Sequence, residues 1–186
     1  MRHPRLFRLL LILPLALGLA ALGCSDADEV DSGGVSLVIA DFDGLPIRVS
    51  VNASGAIVQV EEIELESIVQ NPDLGTGNLQ TIQLRSYEVR YTRADTGTRV
   101  PTPLVSGLLG TVPPGGTTLL ENLPLMLAEQ MLNPPISDLL FVNGGFDSET
   151  GSEVIKLNLI IRFFGRTLGG REVVSNAQSF PVEFVP

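Results

Sequence analysis

From Val35 onward, apolar residues recur mostly at every second position, in runs broken by glycine, proline, asparagine and aspartate. Period two puts alternate side chains on opposite faces of a strand, so the pattern predicts a β-rich chain. "VSLVIA" (35–40) is a first short strand, and "ADFDGLP" turns the chain. In "IRVSVNA" (47–53), Ile47, Val49 and Val51 share a face opposite Arg48, Ser50 and Asn52, and "NASG" (52–55) turns again. The clearest strand is "EVIKLNLIIRFF" (153–164): Ile155, Leu157, Leu159, Ile161 and Phe163 face inward, with Lys156, Asn158 and Arg162 outward. "GRTLGGR" (165–171) turns it back, and "QSFPVEFV" (178–185) ends the chain with Phe180, Val182 and Phe184 on one face.

Two segments change phase midway. In "AIVQVEEIELESIV" (56–69), Val58 and Val60 point one way while Ile63 and Leu65 fit the other. In "LQTIQLRSYEVRYT" (79–92), Ile82 and Leu84 have one parity, and Tyr87, Val89 and Tyr91 the other. A one-residue slip flips every side chain, so each break predicts a β-bulge, the first at Glu61–Glu62, or a strand crossing between sheets. "NPDLGTGN" (71–78) is a loop, and "RADTG" (93–97) is a hairpin turn into "TRV", with Pro101 and Pro103 ending regular pairing or marking an edge. "VPPGG" (112–116) is a further turn, feeding "TTLLENL".

One helix is expected, "PLMLAEQML" (124–132), with Pro124 in its first turn and Asn133-Pro134-Pro135 as its stop. Its Met126 and Met131 are packing residues; "SDLLFV" (137–142) reads as helix or strand. About seven strands with one short helix predict an all-β fold, a β-sandwich, with a small β-barrel carrying a helical plug as the alternative. The "VPPGG" turn and the closing "FFGRTLGGREVVSN" resemble the Ig-like or fibronectin-type modules of bacterial surface proteins.

The N-terminus has a different pattern. "MRHPRLFR" carries Arg2, Arg5 and Arg8 and no acid, and Leu9–Leu22 holds no charge. A basic start, a short apolar run and small residues at its end form a secretory signal peptide. The run is short of the roughly 20 residues that a spanning helix needs, and Pro14 interrupts it. It ends in "ALGC", Ala21–Cys24, which resembles the lipobox of bacterial lipoproteins, with Ala21 and Leu22 in the reverse of that family's usual order. The resemblance implies cleavage after Gly23, a diacylglyceryl group on the Cys24 sulfur, and acylation of the new terminus. Ala21 and Gly23 also satisfy an ordinary A-x-A-like cleavage site, which would leave Cys24 unmodified. Ser25 after the cysteine, in place of aspartate, implies sorting to the outer membrane. The organisation is then a signal peptide (1–23), a lipidated cysteine with the acidic spacer "SDADEVDSGG" (24–34), and one domain (35–186). Fully extended, the ten-residue spacer reaches about 33–36 Å.

Removing residues 1–23 leaves nine bases against 21 acids, a net charge of −12. Phosphate backbones repel such a chain, so nucleic acid is not an expected partner. His3, the sole histidine, leaves with the signal, and there is no tryptophan and no second cysteine. Imidazole-dependent nucleophilic catalysis is therefore excluded for the mature chain, and no disulfide can form within it. No spacing selects a carboxylate pair for glycoside hydrolysis, and Tyr87 and Tyr91 sharing a strand face read as core rim.

Three acidic clusters stand out. Asp41 and Asp43 in "DFDG", with Asp147 and Glu149 in "FDSETGSE", are candidate calcium ligands, although turn geometry accounts for the same residues. Glu62, Glu64 and Glu66 alternate onto one strand face and read as a solvated sheet surface. No catalytic residue and no cofactor is expected. Two functions fit: a non-enzymatic module held to the membrane through acylated Cys24 that binds an envelope protein or polymer, or a periplasmic carrier of an apolar ligand with Leu108, Leu109, Met126 and Leu140 around a cavity.

Overall fold

A computed structural model of the chain describes residues 34–186, apart from Pro46, residues 54–57 and the Leu74 side chain. The signal segment, Cys24 and the spacer before Gly34 lie outside the described residues, as does part of the "NASG" turn.

The described chain is a mostly β protein, with nine strands in two sheets, one of them curled into a half-barrel, and one short helix. In order these are β1 (Val35–Asp43), β2 (Arg48–Ser50), β3 (Val58–Val69), β4 (Ile82–Arg93), β5 (Leu104–Val112), β6 (Thr117–Met126), α1 (Ala128–Met131), β7 (Ile155–Thr167), β8 (Glu172–Val174) and β9 (Gln178–Val185). One sheet has the order β1-β3-β6; the other runs β2-β9-β7-β4-β5, with β8 also paired to β7. The two strands beyond the seven expected are β5 and the three-residue β8; β2, expected over 47–53, is only three residues long.

The two sheets share one core. From β7, Ile155, Leu157, Leu159, Ile161 and Phe163 are buried completely; Lys156 and Arg162 are exposed and Asn158 half-buried. Phe180, Val182 and Phe184 of β9 lie beside them, and Leu37, Ile39, Ile63 and Leu65 come from the opposite sheet. Burying each such side chain contributes about 1.5–3 kcal/mol. Phe163 also packs against Tyr87, with ring centroids 6.0 Å apart.

Both phase breaks occur where the residues place them, by different means. In β4 a true bulge lies at Arg85: Leu84 pairs with Gly165 and Ser86 with the very next residue, Phe164. In β3 the break at Glu61–Glu62 is no bulge against β6, because the register there is continuous, Val60 opposite Leu123 and Glu62 opposite Glu121. Instead β6 changes phase at the same level, where Asn122 has φ 52°, the one positive φ outside glycine among the described residues. Asparagine tolerates that conformation better than most residues. The sheet has two irregularities elsewhere, in β1 between Ile39 and Asp41, and in β6 at Leu125, where Val58 pairs with Met126 but Gln59 with Pro124.

Several expectations need correction. Residues 41–43 continue β1 rather than turning, and Ile47 is 77% exposed although Val49 and Val51 are buried. No strand forms at "TRV"; the strand begins after Pro103 instead, as β5. The helix is only Ala128–Met131, because Pro124–Met126 belongs to β6. Tyr87 donates its hydroxyl to the Pro124 carbonyl (2.8 Å) and Tyr91 to that of Leu125 (2.7 Å), engaging acceptors that a helix would use. β6 ends its sheet, and proline, lacking an N–H, is tolerated on such an edge. "SDLLFV" falls into two short 3-10 turns, Ile136–Leu139 and Phe141–Asn143. The helical stretch packs onto one end of the sheets, with Ile136 and Leu139 fully buried in the core, and Asn52, just after β2, donates to the Leu139 carbonyl and accepts from the Phe141 amide.

Burial pushes the Tyr91 phenol well above its ordinary pKa, so the hydroxyl is a neutral donor there. Tyr91→Phe removes the bonds to Leu125 and Gln130 and is expected to lower stability by about 1–2 kcal/mol in a urea titration.

Candidate functional site

The densest polar cluster joins the capping segment to the end of β4. Arg93 follows Tyr87, Val89 and Tyr91 in the inward parity of β4, so its side chain turns toward the interior and is 4% exposed. The turn after it supplies Asp95, which accepts from Arg93 Nε (2.6 Å) and from the amides of Gly97 and Lys156. From the capping segment comes Asp147, 0% exposed. One of its oxygens accepts from Arg93 (2.8 Å) and the Thr150 hydroxyl (2.7 Å); the other accepts from Arg99 (3.1 Å) and the Glu149 amide. Arg99 also reaches Asp138 at 2.7 Å. The Glu149 carboxylate accepts from the amides of Thr98 and Arg99 and from the Thr98 hydroxyl.

Two arginines facing four carboxylates make this a clamp rather than a ligand cage. Burial alone would raise the pKa of Asp147, but hydrogen bonds from Arg93, Thr150 and the Glu149 amide outweigh it and hold the group at about 2. The Thr98 hydroxyl and the Arg99 and Thr98 amides bring Glu149 to about 2 as well. Asp95 and Asp138 are also lowered: burial opposes the shift, and bonds from Arg93 and from Ser148 with Arg99, respectively, override it. Depressed carboxylate pKa values stabilise the fold fully above the unfolded values near 4, and that stability is lost as pH falls toward 2. Stability measured by circular dichroism is therefore expected to be level near neutrality and to fall between about pH 4 and pH 2.

Asp41 and Asp43 lie elsewhere, toward the exposed end of β1. Asp41 pairs across the ladder with Glu64, and Asp43 with Glu62; with Phe42 these four acids line a shallow open cleft. Each aspartate also accepts a hydrogen bond from the amide of the following residue, Phe42 and Gly44. The four candidate calcium ligands are thus divided between two places, and both Asp147 oxygens are engaged by arginine. Among the described residues, no group of three or more His, Cys, Asp or Glu side chains is placed to hold a metal ion. Glu62, Glu64 and Glu66 occupy the outward positions of β3 and are half-buried.

The carrier residues do not surround one space. Met126 is fully buried at the capped end, opposite Val58, whereas Leu109 is 96% exposed near the other end of the sheets. Leu108 and Leu140 are half-buried and pack against the core. The clamp's Arg93, Arg99, Asp95 and Asp138 were missed by sequence reasoning, although the inward parity of Arg93 was a usable signal.

β1 begins at one end, where the Gln70 amide donates to the Gly34 carbonyl and the Pro113–Gly116 turn bonds to Ser67. The capping segment lies at the opposite end of the 12-residue β3, about 36 Å away at 3.3 Å per residue. There Leu132 (68%), Phe141 (71%) and Val142 (89%) are exposed. No helix among the described residues is long and apolar enough to cross a membrane. No protein-family model matches the chain, and no curated protein matches it.

Proposed function

We propose that this chain is an outer-membrane lipoprotein, anchored through acylated Cys24, whose Ig-like β-sandwich serves as a non-catalytic binding or structural module in the cell envelope. The observation that carries the reading is the N-terminal sequence: a basic start, an uncharged run and "ALGC" leading into a polar acidic spacer. The described fold supports the second half of it. Its densest polar cluster is consumed in internal ion pairs, and apolar side chains are exposed at both ends, Leu132, Phe141 and Val142 at the one remote from Gly34 and Leu79 and Leu109 at the other. Anchoring at one end and contact at the other suits a domain that holds a partner away from the bilayer.

Protease added to intact cells of the native host tests the placement. Peptides from residues 35–186, released while periplasmic markers stay intact, put the domain on the cell surface and favour external partners. Release only after the outer membrane is broken puts it in the periplasm and favours an envelope partner. Recovery of the protein in the cytoplasm, or in the soluble periplasmic fraction, overturns the reading.

A further inference from the structure

We propose that a second copy of this chain pairs with the free edge of β6, antiparallel and centred on Leu119. β6 ends its sheet, and among the described residues no strand lies on its outer side. It follows β5 through a tight turn, yet the two strands belong to different sheets. Near the turn the Thr118 hydroxyl bonds the Thr111 carbonyl at 2.7 Å, and no ladder joins the two strands. Leu119 is 46% exposed, and the inward-facing Thr118 and Leu120 are partly buried.

An open edge normally carries charges, bulges or a cover that discourage pairing. On β6 these devices, Glu121, Asn122 with its positive φ and Pro124, come after Leu120, and Thr117–Leu120 has none. The other edges have devices of their own. β1 carries Asp41 and Asp43, and its Ile39 amide is already bound to Asn176. β2 is three residues long, and β5 is interrupted where Leu108 and Leu109 together oppose Arg85. By contrast, residues 100–120 contain no charged side chain, a 21-residue gap in a chain whose mature part carries −12. Two acidic copies can approach there without placing like charges in contact.

The register follows from the sequence. Centring on Leu119 sets Leu119 against Leu119, Thr118 against Leu120, and Glu121 against Thr117 of the second copy. Strands lie about 4.8 Å apart, so the β3 glutamates of the two copies would be three spacings, about 14 Å, from each other. That exceeds the Debye length of about 8 Å at physiological ionic strength.

A residue on a twofold axis can cross-link to itself. Opposite Cα atoms in an antiparallel pair lie about 4.5–5.5 Å apart, within the range a disulfide spans. The full chain is expressed in its host, in the wild-type and Cys24→Ser backgrounds so that any bridge through Cys24 is separable. Leu119→Cys is expected to give a covalent dimer on mild oxidation, and Val142→Cys, 89% exposed at the capped end, is expected to give none. Thr117→Cys combined with Glu121→Cys should cross-link where neither does alone. Sedimentation of the detergent-extracted wild type should give twice the chain mass, and Leu119→Lys should give the single mass. A monomeric Leu119→Cys, equal cross-linking at Val142→Cys, or one unchanged mass for wild type and Leu119→Lys overturns the proposal. So does a monomer that instead binds lipid vesicles through Leu119.

Discussion

Arg93→Met is expected to destabilise the domain by about 3–5 kcal/mol, because it leaves the fully buried Asp147 carboxylate without its best-shielded partner. Arg99 and Thr150 remain in contact with Asp147, but Arg99 is 39% exposed and is shared with Asp138. The loss is a large fraction of the roughly 5–15 kcal/mol that holds a typical domain together. Arg48→Met provides the contrast. That arginine pairs with Glu183 at 2.9 Å but is 63% exposed, and such surface pairs contribute at most about 1 kcal/mol. Urea midpoints for the two variants should therefore separate clearly. The double variant Arg93→Met/Asp147→Asn should recover part of the loss, since the fully buried site then carries no charge, while Asp95 keeps only its bonds from the Gly97 and Lys156 amides. An unchanged midpoint for Arg93→Met would show that the clamp does not hold the capping segment.

The second large effect concerns location. Cys24→Ser is expected to move the protein, cleaved at the A-x-A-like site Ala21–Gly23, from the membrane fraction to the soluble pool. One acyl chain binds a bilayer only marginally, at about 0.8 kcal/mol per buried CH₂, so stable anchoring takes two or more chains. The resemblance supplies these at Cys24 and nowhere else. The described residues contain no spanning helix that would substitute. The check is an alkaline wash of native-host membranes followed by immunoblotting. Wild-type protein should remain with the lipid and the variant should not; equal retention of both would mean that another element carries the attachment.

Strand positions were legible wherever one face is buried and the other wet. The alternation in β7 and β9 predicted the inward residues through Phe163 and those of β9, because an antiparallel sheet with one solvated face imposes period two on the sequence. Gly165 and Thr167, read as turn, instead continue β7 inward. β4 and β3 announced their phase breaks in the same way. What alternation cannot convey is how a break is built. Arg85 is accommodated by a bulge, whereas the break in β3 is matched by one at Asn122 on its neighbour, and that requires knowing which strands pair. β5 was missed for a related reason. As an edge strand with glycines at 107 and 110, it buries only Leu104 and Val112 and shows little alternation.

The helix was overextended because Leu125, Leu127, Ala128 and Leu132 satisfy helical spacing, while the tyrosine bonds holding 124–126 in β6 come from a strand more than 30 residues away. The candidate site fared similarly. The acids Asp147 and Glu149 were visible in sequence, but their partners Arg93 and Arg99 lie about 50 residues upstream and become neighbours only in the fold. A loop acid near glycine looks the same whether it awaits a cation or an arginine.

The most direct test of the account is the mass of the mature N-terminal peptide, taken from protein purified out of native-host membranes. The account predicts a chain that begins at Cys24 and carries the added mass of a diacylglyceryl thioether and an amide-linked acyl chain. A chain beginning at Cys24 with a free thiol, or one that retains residues 1–23, would contradict it.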